Sequence, residues 1–309
     1  MKTRSRRFAA VDALLIAMMV VPILCAIVLK ILTSPATEGI TITGAQIYFT
    51  VPMPIQDLPI TSAQINSWLV IISIFGLCLY LTHGISVRNG TRRQMLAEWI
   101  VEKTENMVKD SMGDPFSGYA PFIAAIIAIS AFSSLMSLFG LFPPTSDINI
   151  SGGWAILVFI LITYYKLKCG VGSYLKGFTE PIFVMTPLNI LGEVATPVSM
   201  AFRHYGNVLS GSVISVLIAS ALQGLSSILL GWIPGAIGQF PLFQIGIPAV
   251  LSAYFDVFSG CMQAYIFAML TMLNVSGAFD PDKYEERMQR KLAKRQAKAF
   301  VKASKEENN

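Results

Sequence analysis

Six apolar stretches, approximately 9–32, 65–87, 118–142, 152–168, 187–230 and 245–277, dominate the 309-residue chain. Each is at or near the roughly 20 residues a helix needs to cross a bilayer's hydrocarbon core. In that solvent only helices and closed barrels satisfy their own backbone, and runs this continuous select helices. Lysine and arginine fall between the stretches in strict alternation. Four precede residue 9, none lies in 34–64, five in 88–117, none in 143–151, three in 166–180, none in 231–244 and nine after 278. The positive-inside rule gives this pattern to six crossings with both termini cytoplasmic. Charged residues make up only 13% of the chain, against about 25% in soluble domains. The fold class expected is therefore an all-α polytopic membrane protein. The basic tail is a topology signal, and no nucleic-acid partner is expected.

The first stretch also has the outline of a signal peptide, with Lys2, Arg4, Arg6 and Arg7 ahead of an apolar run. The run exceeds a usual h-region and has no A-x-A site or lipobox around Cys25, which favours an uncleaved helix. Cys25, Cys78, Cys169 and Cys261 lie far apart in or beside apolar runs and read as small core residues. Only two histidines, His83 and His204, are present. Neither a histidine-based zinc motif nor any cofactor motif can be built from this set, so no metal and no cofactor are expected.

Four units follow. Residues 1–33 form a basic N-terminus and a helix. Residues 34–64, rich in Thr, Ile and Pro, form an extended extracytoplasmic lid with turns. Residues 65–278 form the membrane core, and 279–309 a basic cytoplasmic tail, helical at first and then frayed, suited to lipid head groups. Within the core, Met95, Leu96, Trp99, Ile100, Met107 and Val108 recur at helical spacing among acids and bases. That pattern predicts an amphipathic helix along the cytoplasmic surface; the alternative is an ordinary solvated connector. The last two stretches are too long to stand upright. As helices, 193–230 and 245–277 measure about 57 and about 50 Å, against a hydrocarbon core of about 30 Å. Two long, strongly tilted helices joined by LGWIPGAIGQFP accommodate them.

Arg203 is the one cation in the middle of a long apolar stretch. At the bilayer centre such a residue costs about 3 kcal/mol and needs a partner or water; the plainer reading is an arginine at a protein-buried kink or one that snorkels. Ser199, Gly206, Asn207 and Ser210 fall within about 60° of it on a helical projection. Ser252, Asp256, Ser259, Gly260 and Gln263 share a face of the last stretch. Small residues at such spacing usually only pack; the added Arg, Asp and Gln point further. With Gln263 level with Arg203, Ser212 lies nine residues outward and Asp256 seven, while Glu193 lies ten residues to the cytoplasmic side. A central fixed cation with polar sites towards opposite faces suits two half-pores better than one continuous pore, because the charge blocks direct cation passage.

PLNILGEVATPVSMAFRHYGNVLSG (187–211) and MQAYIFAMLTML (262–273) resemble subunit a of the F-type ATP synthase, the stator subunit of its proton channel. PTSDIN (144–149), the helix ending at Met112-Gly113, and TSAQINSW (61–68) match more weakly, in the family's order. The resemblance implies that Arg203 is the essential stator arginine, facing a carboxylate on a rotating ring of c subunits, with Gln263 beside it. It implies that Glu193 belongs to the cytoplasmic half-channel, and that Asn207, Ser212 and Asp256 line the outer one. Asp147 and Asn149, with Ser199, Ser210 and His204 near the arginine, are secondary candidates. The implied partners are the c ring, the b-subunit peripheral stalk, the rest of the synthase, the lipid bilayer, and a translocated H⁺ or Na⁺. The implied place is a bacterial plasma membrane. Ser212 stands where many relatives carry an acid, Asp256 where some carry His or Glu, and His204 where an apolar residue is commoner. The N-terminal helix adds to the common five-helix pattern. By this reading the chain is not an enzyme by itself. The alternative is a secondary transporter binding an anion at Arg203, but no internal repeat supports it. An intramembrane enzyme lacks any GxSxG, HExxH or paired-aspartate motif.

Overall fold

A computed structural model describes residues 2–33, 44–54, 56–86, 90–179, 183–230, 246, 250–251 and 253–307. It is an all-α membrane architecture with one small hairpin. The helices are α1 (Lys2–Thr33), α2 (Ser62–Thr82), α3 (Arg92–Met112), α4 (Ala120–Leu135), α5 (Ile148–Cys169), α6 (Val171–Thr179), α7 (Thr186–Leu230), α8 (Gly260–Gly277) and α9 (Pro281–Glu307). Six segments are long and apolar enough to span: Ala10–Thr33, Ser62–Thr82, Asp114–Phe139, Ile148–Cys169, Phe183–Leu230 and Ala253–Gly277. They match the six apolar stretches. The chain is a multi-pass membrane protein.

Local sequence sets the ends of these helices. Thr91 caps α3 by accepting from the Gln94 amide at 3.3 Å, and α3 stops at Gly113, whose φ of +85° suits glycine. Asp147 caps α5, accepting from the amide and side chain of Asn149 at 2.9 and 3.0 Å. The extended segment is an antiparallel pair, β1 (Ile47–Val51) and β2 (Leu58–Thr61). It is tied to the start of α2 by Gln46 and Ser62. Its first part, 34–43, lies outside the described residues, as do most of LGWIPGAIGQFP and Ser252.

The core is apolar and drawn from five helices. Val108 and Met112 of α3 meet Ile123 of α4, Val158 and Ile162 of α5, Met200 of α7, and Phe267, Met272 and Val275 of α8. α3 therefore divides its apolar residues. Met95, Leu96, Trp99 and Ile100 are exposed, as a membrane-surface helix requires, whereas Val108 is buried in the core. A second, smaller cluster joins Ala26 of α1 to Val70 of α2, with Met136 and Leu141 after α4.

α1 is docked at both ends. Asp12 accepts from Arg93 at 3.0 Å and lies 2.9 Å from Nδ1 of His83. At the other end the Lys30 ammonium donates to the carbonyl of Gly140. Between them Gly76 lets α2 approach Met18. α7 runs unbroken through Pro197 for 45 residues, about 67 Å at 1.5 Å per residue. α9 continues helical to Glu307, further than its charge-rich sequence suggested.

Before α8, Ala253–Ser259 forms a π-helix, whose i→i+5 bonds put an extra residue into the turn. The helix resumes where Gly260 meets α4. A Cβ at Gly260 would stand 2.5 Å from the Ser134 Cβ, and a Cβ cannot rotate away, so a backbone would have to move. At Gly224, with nothing within 4 Å, alanine should stabilise by up to about 1 kcal/mol through helix propensity. At Gly260 the same change should instead destabilise by about 1–3 kcal/mol, and Ser134→Gly should recover part of that loss. Thermal unfolding of the purified variants measures both, and an unchanged Gly260→Ala would contradict this packing.

Candidate functional site

The site is built on α7, whose successive residues face opposite surroundings. Arg203 is exposed, as are Ser199 and Ser210, with Gly206 and Asn207 half-buried beside them. Among the described residues no side chain pairs with Arg203. An apolar rim flanks it, with Val198 46% and Phe202 60% exposed. The guanidinium is thus presented on an outward, small-residue face of a membrane helix.

His204, the next residue, is fully buried. Its Nε2 lies 3.3 Å from Ser130 Oγ of α4, and its Nδ1 lies 3.5 Å from Gln263 Nε2 of α8. Trp154 of α5 and Phe267 of α8 pack on its ring, with centroids 5.6 and 5.4 Å away. The imidazole joins four helices. Gln263 therefore lies at the level that the depth argument assumed, but it is buried and bonded to the neighbour of the arginine.

One turn further along, Asn207 donates to the Ser259 carbonyl at 3.4 Å and accepts from its hydroxyl at 3.0 Å. Asn207 thereby fastens α7 to the end of the π-helix. The hydroxyls of Ser210 and Ser212 turn back to carbonyls of their own helix.

Two separate cavities flank this level. One, of 690 Å³, opens at the ends of the spans that adjoin the lysine- and arginine-free connections. It brings together Ser212, Asp256 and Asp147 with Tyr205, Ser137, Asn66, Gln46 and Lys30. The Ser137 hydroxyl, which donates to the Ser134 carbonyl at 3.0 Å, lines this cavity together with Asp256. Asn149 lies outside this lining and is occupied with Asp147.

The other cavity, of 610 Å³, lies among the basic ends and contains Glu193, Lys166, Tyr174, Asn189 and Thr196. Lys166 Nζ and the Tyr174 hydroxyl both lie 3.0 Å from Glu193 Oε1. Burial, reinforced by that carboxylate, pushes the Tyr174 phenol above its ordinary range and keeps it a donor. Arg203 lines neither cavity.

Lys30, Ser137 and Tyr205 on one side, and Lys166 and Tyr174 on the other, were not among the residues chosen from sequence. Lys30 had one signal, being the only other cation outside the alternating connections.

Residues 64–276 match the family described as ATP synthase A chain. The ATP synthase subunit a of Bacillus pumilus is 31% identical, over 66% of this chain and 86% of its own length. That of Desulforamulus reducens is also 31% identical, over 69% and 77%. The sodium ion specific subunit a of Propionigenium modestum is 26% identical, over 79% and 88%.

The contrast between adjacent residues is testable as stability. His204→Ala removes a ring from a four-helix junction and leaves Gln263 without its partner. It should cost about 2–4 kcal/mol, seen as a lower melting temperature of the purified chain. Arg203→Ala should stay within about 0.5 kcal/mol of the parent. Equal losses would place Arg203 in the fold rather than on a working surface.

Proposed function

Since the chain belongs to the ATP synthase A chain family, we propose that Arg203 and the two cavities are its ion path. It is an ion-translocating stator component of the ATP synthase complex and not a catalyst by itself. The matches to subunit a sequences give no support to an anion transporter.

One observation carries the residue assignment: along α7, two polar cavities lie on either side of an exposed arginine that has no partner among the described residues and lines neither. The larger cavity is the outer half-channel, with Asp256, Ser212 and Asp147 as its polar wall and Asn207 fixing α7 beside it. The smaller is the cytoplasmic half-channel, with Glu193 as its carboxylate. Arg203 faces a carboxylate on a ring of c subunits, held in register by Gln263 through His204, with Ser199 and Ser210 allowing close approach. An ion enters from outside, neutralises a ring carboxylate, travels with the ring for most of a turn, and leaves past Glu193 as that carboxylate returns to Arg203. Each charge that crosses contributes about 2.3 kcal/mol per 100 mV.

The ion is H⁺ or Na⁺; a sodium ion specific relative is among the matches. The basic connections face the cytoplasm of a bacterial plasma membrane, both termini included, and the b-subunit stalk is a further partner. α7 lies strongly tilted, because about 67 Å of helix exceeds a core of about 30 Å. Units 1–33, 34–64, 65–278 and 279–309 serve as added helix, lid, channel core and tail.

Arg203→Ala should abolish ATP-driven ion pumping in vesicles while the complex still assembles. Arg203→Lys should fail as well, because a compact ammonium lacks the delocalised fork. Normal pumping by either variant defeats the assignment.

Single cysteines at Ser212 and Asp256 should react with an impermeant thiol reagent added outside, and cysteines at Glu193 and Thr196 with reagent added on the cytoplasmic side. A water-accessible path running uninterrupted past Arg203 would exclude two half-channels.

A further inference from the structure

Ion translocation leaves unused a third cavity, of 360 Å³, where the last turn of α5 meets α9. Its wall holds three cations, Lys168, Arg287 and Lys291, and two tyrosines, Tyr164 and Tyr284, with no acid among the lining residues. Lys168 Nζ stands 5.9, 5.6 and 5.2 Å from the ring centroids of Tyr164, Tyr165 and Tyr284, so the rings fix its position. Arg287 spends one terminal nitrogen on the Leu167 and Lys168 carbonyls, both at 2.7 Å. Both carbonyls lie in the last turn of α5, where that of Leu167 also accepts from the Gly170 amide at 3.2 Å. A guanidinium has five N–H donors, so the rest of the fork remains for an anion.

The surface below the cavity identifies what kind of anion. Ile156, Ile160, Tyr164 and Leu167 recur at helical spacing along α5 and are 61, 57, 55 and 37% exposed. They form an apolar stripe that climbs through the membrane and ends at the three cations. On α9, Met288 and Leu292 are exposed beside the same site. A free phosphate has no use for the stripe. A molecule with an anionic head and acyl chains matches both parts.

We propose that this cavity binds the phosphate head group of an anionic phospholipid, its chains lying along the α5 stripe, and so holds α9 at the membrane surface. The site depends on the chain spanning a membrane and not on the role of Arg203.

The full chain in neutral detergent micelles is titrated with phosphatidylglycerol, phosphatidylcholine or inorganic phosphate, and the bound species are read by native mass spectrometry. One phosphatidylglycerol should be retained per chain in preference to phosphatidylcholine, with no displacement by millimolar phosphate. Arg287→Gln can also detach α9, so the deciding variant is Lys291→Gln at the exposed rim. It should weaken retention about fivefold, the value of one basic residue at an anionic membrane surface. Arg290→Gln removes the same charge from outside the cavity, where Arg290 pairs with Glu286 at 3.5 Å, and should leave retention unchanged. Equal weakening by the two variants, equal retention of the two lipids, or displacement by inorganic phosphate would each overturn the proposal.

Discussion

A guanidinium within an apolar span, with no partner among the described residues, is an incomplete structure. Hydrocarbon cannot solvate it, and proximity to other apolar helices does not help. The remainder of α7 is consistent with a carboxylate arriving from another chain. The residues about Arg203 on its face are small or short, Ser199, Gly206, Asn207 and Ser210, so a second helix can come close. The aromatic and branched residues of this level lie on other faces, or on α5 and α8.

The fold holds that face still by fastening α7 beside and just beyond it. His204, Gln263 and Ser130 meet at one level, and Asn207 and Ser259 one turn away. Gly260 adds contact with α4 through its lack of a side chain. Arg203 is the one lysine or arginine on α7, and Glu193 its one carboxylate. The carboxylates are kept apart from it, Glu193 in one cavity and Asp256 in the other. That separation is what a barrier to direct passage requires.

Much of this could be read before any coordinates. Spans follow from hydropathy because a bilayer punishes any other arrangement, and the Arg203 face follows from a 3.6-residue period that α7 keeps over its whole length. The π-helix at Ala253–Ser259 was not legible, since a sequence pattern projected at a constant angle carries no sign of an inserted residue. Lys30, Lys166 and Tyr174 were missed for a different reason. Lys30 reaches Gly140 across 110 positions of sequence, and Lys166 and Tyr174 meet Glu193 only through the packing of three helices. The double use of α3 was half visible: its exposed apolar residues read as a surface helix, but Val108 is apolar for the core.

The cavity around Asp256 gives the N-terminal segment an unexpected standing. The match to the family begins at residue 64, yet Lys30, Gly44, Gln46 and Tyr48 are part of the cavity wall. The matched segment and the cavity wall therefore have different borders. A chimera cut at residue 64 would transplant the arginine and both carboxylates intact and still carry a breached vestibule.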